Sequence, residues 1–371
     1  MTQINVVKSA VVYRGSSDHP YLRHAAFPSI AQMSDGKFVV TMTIGHGRDS
    51  ADIRCYRVIS WDEGETWSQP ERIFEPDETK HPVSAGIRMS KVTDGTLVGF
   101  VNLLNRSDPD VPTTNPDNGG ALPREHAIIR SSDGELWSPL EFFQPPLDWH
   151  YFGEPSPVLA LSADRWLLPS LTRPNWQGNC PYGRKSFVMV SEDQGKTWPR
   201  SSDVFDLWSK QIATWEQKQT RLSDGRILAV TWAFDTVKKE NVPILYTFSE
   251  DQGESYGAPV QSPLRGQTCT PLALSDNRIL CVYRRIDKKG LWAHLAQVRG
   301  SEWVGTAEQC LWGSDRAAIA GGADSSPRHH HALQFGFPQL IPLERRNYFI
   351  VFWAVEDGLS VIRSVRLQIS D

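Results

Sequence analysis

Apolar and polar residues alternate with a period of two in short runs along the chain, and the runs come in pairs separated by a polar turn. Six such pairs stand out: PSIAQMSDGKFVV (28–40), IRMSKVTDGTLVGF (87–100), PSPVLALSADRWLL (155–168), QTRLSDGRILAV (219–230), TPLALSDNRILCV (270–282) and PQLIPLERRNYFIVF (338–352). Each reads as strand, turn, strand, with the turn at Asp35, Asp94, Ala163, Asp224, Asp276 or Arg345 and successive turns 52 to 69 residues apart. A second series is interleaved with the first. It is complete at Ser60 to Trp67 (SWDEGETW) and Ser191 to Trp198 (SEDQGKTW), varied at Ser249 to Tyr256, and one residue short at Ser131 to Trp137. In such a turn the Ser and Asp side chains satisfy backbone groups, Gly takes the positive φ, and Trp packs beneath.

A hairpin, a third strand and a fourth strand after the second turn make one blade. Six units therefore predict an all-β fold, a six-bladed β-propeller forming one domain over the whole chain. The last unit runs out of sequence before its outer strand, so the amino-terminal run around Ile4 to Tyr13 is expected to complete it. Ser209 to Lys218 reads as a short helix at most.

Composition narrows the class further. The chain is 40% hydrophobic and 22% charged, which suits a buried core rather than disorder. With 39 basic and 43 acidic residues, a net charge of −4 gives no electrostatic reason to expect a nucleic-acid partner. The opening MTQINVVKSAVVYRG has no secretory apolar stretch and no later run approaches a membrane span, so a soluble, cytoplasmic protein without a membrane partner is expected. Five scattered cysteines without a CxxC pair argue against a disulfide framework and against structural zinc, and no cofactor motif occurs. Nothing marks an oligomeric state.

In a propeller the inner strands surround a central funnel, and polar residues at their upper ends and in the neighbouring loops converge there. The candidates are Arg23, His24, His46, Arg48, Asp49 and Asp52 from unit one, and Arg88 from unit two. Unit three supplies Tyr151, Glu154 and Arg173, and unit four supplies Glu216 and Trp232. The last two units supply Arg284 and His330. Carboxylates, Arg, His and Trp around one opening suit a small saccharide, whose ring stacks on indole and whose hydroxyls and acid groups take charged hydrogen bonds. Within His329-His330-His331 the strand alternation puts the outer two on one face, which favours a substrate donor or proton carrier over a metal ligand.

The turn repeats resemble the Asp-box repeats of the sialidase superfamily over nearly the whole chain. The resemblance implies that Asp62, Asp133, Asp193 and Asp251 are peripheral turn staples. It also implies that Arg48 and Asp52, with Asp49 as the alternative register, match the family's arginine and acid/base aspartate. Glu216, eight residues before Asp224, matches the glutamate that polarises the family's nucleophile. Other positions depart: the first triad arginine falls on Ala26, the second near Trp232, and the tyrosine nucleophile on Phe337. Arg284, Arg285 or Lys288 is the substitute that the resemblance offers for the third. Little ordinary sialidase activity is therefore expected. Asp52 and Glu216 remain as opposed carboxylates suited to glycoside hydrolysis, with His46 alongside. A uronate lyase using His24, His46 or His330 with Tyr151, and a non-catalytic glycan-binding propeller, are the competing readings.

Overall fold

A computed structural model describes residues 2–153, 156–300, 302–314 and 334–371. It is all-β, as the repeats predict: six antiparallel four-stranded sheets form the six blades of a propeller. The inner strands, one per blade, are His24–Gln32, Val83–Lys91, Leu159–Ala160, Ile212–Arg221, Gly266–Ala273 and Phe335–Pro342. The amino-terminal strand Gln3–Arg14 pairs antiparallel with Leu359–Ser370, from Gln3 opposite Ser370 to Arg14 opposite Val361. Both ends of the chain thus share the last blade, and that pairing closes the ring.

The second strand of each blade reads as a nearly unbroken apolar run because both of its faces are covered by neighbouring blades. Every residue of Phe38–Gly45 is buried. Phe38, Val40 and Met42 of blade one pack against Phe349, Val351 and Trp353 of blade six, and Leu280 and Val282 of blade five pack against Ile350 and Phe352. Packing between blades fixes where each inner strand stands, and so the walls of the funnel.

The repeated turns close as their residues dictate. The Ser60 hydroxyl accepts the Gly64 amide at 2.7 Å and donates to Asp62 at 2.8 Å. Asp62 in turn accepts the hydroxyl of Thr66 at 2.6 Å and its amide at 2.9 Å. The Thr66 hydroxyl and amide, with Ser60, hold the Asp62 carboxyl down to about 2. Gly64 is required twice over: its φ is +87°, and a Cβ there would lie 2.7 Å from the Phe349 ring. Ser191, Asp193, Gly195 and Thr197 repeat the arrangement, as do Ser249, Asp251, Gly253 and Ser255. The shortened turn keeps the Ser131–Asp133 and Gly134–Ser131 bonds, and Asp133 accepts the amides of Glu135 and Leu136 in place of a threonine hydroxyl.

Two local expectations need adjustment. Ser209 to Lys218 is not helical as a unit: a 3-10 turn at Trp208–Lys210 leads into a strand that starts at Ile212. Pairing of Ile212, Ala213, Thr214 and Trp215 with the next strand overrides the local preference. In blade three the inner strand shrinks to Leu159–Ala160, since Pro157 just before it has no N–H to give to a ladder. Among the described residues no helix is long and apolar enough to cross a membrane.

Candidate functional site

Four of the six inner strands carry the same irregularity. Their pairing with the second strand slips between Ala26 and Ser29, Trp215 and Lys218, Gln267 and Thr270, and Gly336 and Gln339. At each slip one non-glycine residue adopts positive φ: Phe27 (53°), Glu216 (48°), Thr268 (51°) and Phe337 (50°). A β-bulge re-aims a side chain, and a left-handed conformation at a non-glycine residue costs energy that the surroundings must repay. Here the surroundings are specific. Thr43 donates to the Ala26 carbonyl at 3.1 Å and Thr231 to the Trp215 carbonyl at 2.8 Å, so the bulges of blades one and four keep their preceding carbonyls satisfied. The Phe337 amide donates to Thr268 at 3.0 Å, joining the bulges of blades five and six.

The bulge at Glu216 brings a carboxylate into a set of buried cations. Arg284 is 4% exposed; one guanidinium nitrogen donates to the Phe335 carbonyl at 2.6 Å and another to Gln267 Oε1 at 2.7 Å. Gly336 permits that approach, because a Cβ there would stand 2.8 Å from Arg284 Nη1. Burial lowers the Arg284 guanidinium to about 10, with Glu216 opposing the shift and Arg48 adding to it. Lys218 is lowered to about 8 by burial and by Arg88, against the attraction of Glu216. Arg88 lies between two bulge residues, 4.7 Å from the Phe27 ring and 4.5 Å from the Phe337 ring.

Blade one adds a second group at the upper end of the same funnel. His24 is lowered to about 4, first by burial and then by Arg48, with Asp49 opposing. Its imidazole is therefore neutral at physiological pH, and it meets Trp353 edge-on at 6.2 Å. Arg48 lies over the same indole at 5.8 Å; burial lowers its guanidinium while Asp49 resists. The field of Asp49 also reaches Arg106, and Thr113 approaches Asp49 at 3.4 Å. Several buried polar atoms have no hydrogen-bond partner among the described residues: Oε2 of Glu216, Nε2 of His24 and Nη2 of Arg48. Such atoms also occur elsewhere in the fold, but here they gather around one opening, where they are suited to meeting a ligand.

The remaining sequence candidates are placed as follows. Both oxygens of Asp52 accept the backbone amide of His46, at 3.2 and 3.0 Å, so this carboxylate closes the 46–53 loop, while the His46 side chain is exposed. Arg23 is exposed at the start of its strand. Arg173 donates to Thr114 and to the Gly119 carbonyl and so ties two funnel loops together; Tyr151 packs on Trp149 at 5.0 Å. Trp232 is 5% exposed and stacks on the half-buried Trp215 at 4.7 Å. Of the alternatives near 284–288, Arg284 alone turns inward. Arg285 pairs with Asp287 and Glu308, and Lys288 lies over Trp292. Glu154 and His330 lie outside the described residues. No group of three metal-ligating side chains gathers among the described ones.

Lys218, Gln267, Thr270 and Trp353 were not foreseen from the sequence. A signal for two of the bulges was present, since Phe-Pro occurs at both 27–28 and 337–338 in otherwise strand-like runs, and proline inside a strand marks a bulge. Away from the funnel, a groove of about 830 Å³ opens on the flank of blade two between the 74–81 segment and the outer strands, with Phe142, Arg124, His81 and His150 in its lining.

No protein-family model matches the chain, and no curated protein matches it. Solved structures do. A protein of unknown function from Dyadobacter fermentans superposes with a TM-score of 0.76 at 19% identity, covering 99% of both chains. The intramolecular trans-sialidase of Ruminococcus gnavus, solved with oseltamivir carboxylate, gives 0.67 at 10% identity over 98% of each. An α-L-arabinanase from Penicillium chrysogenum, solved with arabinobiose, gives 0.62 at 14% identity over 97% of this chain and 98% of that one. The fold is thus a sialidase-like six-bladed propeller, which an arabinanase also uses. Likeness at these identities defines the fold alone.

Proposed function

We propose that the protein is an exo-acting glycoside hydrolase for a small acidic saccharide, built on the sialidase fold with a different catalytic set. The observation that carries this reading is the setting of Glu216: a carboxylate on a bulge, with one oxygen open, whose field acts on the buried cations Arg284 and Lys218. Glu216 serves as the second carboxylate, taking a proton from water or attacking the anomeric carbon. Arg284 and Arg48 hold the acid group of the sugar, and Arg88 and Lys218 charge the funnel from beneath. Phe337 has no hydroxyl, so the tyrosine chemistry that the sialidase resemblance implies is missing at that position.

The general acid comes from the 46–53 loop. Asp49 is favoured because its field reaches His24 and Arg48, whereas Asp52 is engaged at both oxygens by the His46 amide. The test is a panel of sialosides, uronate-containing oligosaccharides and neutral glycosides, followed by proton NMR with the wild type, Glu216→Gln, Asp49→Asn and Asp52→Asn. The expected result is release of a reducing sugar from an acidic substrate, abolished in E216Q and cut more deeply by D49N than by D52N. The first-formed anomer then distinguishes retention from inversion. Undiminished turnover in E216Q would refute the reading.

One observation favours a second reading. A neutral His24 with an open Nε2 beside Arg48 also suits proton abstraction next to a carboxylate, the chemistry of a uronate lyase. An unsaturated product absorbing in the ultraviolet, lost in His24→Ala, would establish it.

A further inference from the structure

Lys218 is a deeply buried ammonium beside the funnel, and the proposed chemistry uses it only as a background charge. It stands two residues past the strained Glu216, at 3% exposure. Its ammonium donates to Thr270 Oγ1 at 2.6 Å and to the Pro338 carbonyl at 3.3 Å, and lies 4.1 Å from the centre of the Phe337 ring. Thr270 passes the link on, donating to the same Pro338 carbonyl at 2.5 Å. One side chain from blade four therefore grips blades five and six. All three points of contact lie within two residues of a positive-φ bulge position: Glu216 beside Lys218, Thr268 beside Thr270, Phe337 beside Pro338.

Such an arrangement is costly for the fold. A fully buried ammonium loses its hydration, and two acceptors and an aromatic face replace it only in part. A methionine of similar length would fill the same space without that cost. What methionine would not supply is a fixed positive charge next to Glu216 and a tie across three bulges.

We propose that Lys218 is a positioning residue for the Glu216 site, an ammonium latch that holds the bulges of blades four, five and six in register and limits function at alkaline pH. The proposal rests on the hydrolase reading for its catalytic consequence but not for the latch itself. The titratable groups acting on Lys218 are Glu216 on its own strand, Arg88 from blade two and the Cys269 thiol from blade five; Arg284 from blade five shares Glu216 with it. Because burial brings Lys218 down to about 8, its charge is present at neutral pH and lost as pH rises through that value. One N–H donor is lost with it.

Two independent readouts test the latch. Hydrogen exchange followed by mass spectrometry on Lys218→Met needs no substrate. The expected result is amide exchange at least tenfold faster in peptides spanning 214–218 and 336–340, with the 60–67 turn unchanged and a melting temperature no lower than that of the wild type. Thr270→Val, which removes the acceptor but keeps the lysine, should loosen the same two peptides to a smaller degree, and Thr270→Ser should not. In turnover, the wild type should show an alkaline limb near pH 8; K218M should lower kcat at least 30-fold with KM within threefold and should lack that limb. Exchange within twofold of the wild type in both peptides, in K218M and T270V alike, would overturn the latch. Faster exchange with kcat and the alkaline limb intact would overturn its role in positioning. If no saccharide is turned over, the hydrolase reading fails and the exchange result alone decides the latch.

Discussion

The two ends of the blades handle charged groups in opposite ways. At the end bearing the Asp turns, the carboxylates are exposed and saturated: Asp62 accepts two bonds from Thr66 and one from Ser60, and is pulled down to about 2 by them. Around the funnel, Glu216, His24 and Arg48 each keep a buried polar atom without a hydrogen-bond partner among the described residues, and four inner strands hold strained bulges. One end is built for stability at low cost, while the other gives up stability to hold charged groups ready for a ligand. Substitutions should therefore divide cleanly, those at the turns changing stability and those in the funnel changing chemistry.

The largest effect expected is on the funnel side. Glu216→Gln keeps the bulge and the shape and should lower turnover about 10³-fold or more with little change in melting temperature, measured by initial rates on the acidic substrate. Arg284→Met should raise KM on the order of 10²-fold for an acidic sugar and hardly alter it for a neutral one. An equal loss for both would show that Arg284 only supports the walls. Next comes the turn side. Gly64→Val meets both the positive φ and the Phe349 ring and should destabilise by about 2–4 kcal/mol in urea unfolding without changing KM.

A smaller, pH-dependent effect sharpens the comparison. His24 titrates at about 4 when folded against about 6.5 when unfolded, so the unfolded chain binds the extra proton first. Its contribution is fully present above about pH 6.5 and declines as pH falls toward 4, by up to about 2–3 kcal/mol. His24→Gln should flatten that part of the stability profile in chemical denaturation between pH 4 and 7. A profile unchanged by the substitution would place His24 in open solvent.

The sequence made the same distinction in what it disclosed. The Asp turns were legible in full because their chemistry is local: Ser, Asp, Gly and Trp at fixed offsets make the turn wherever they occur, and their repetition counted the blades. Blade closure by the amino-terminal strand followed from the same count. The funnel was legible in part. His24, Arg48, Glu216 and Arg284 were accessible because strand ends and loops of a propeller converge. Which of Arg284, Arg285 and Lys288 turned inward was not, because it depends on register against Gly266–Ala273 and on the slip between Gln267 and Thr270. Lys218 was hidden for the same reason. It lies in a polar run, WEQKQT, and only the bulge at Glu216 carries it into the interior.

The most direct test of the account is a comparison of acidic and neutral saccharides of matched size, incubated with the wild type and with E216Q and followed by proton NMR. The account predicts that the wild type releases a reducing sugar from the acidic substrate at least tenfold faster than from its neutral counterpart, and that E216Q releases none. Equal rates on both substrates, or turnover that survives in E216Q, would contradict it.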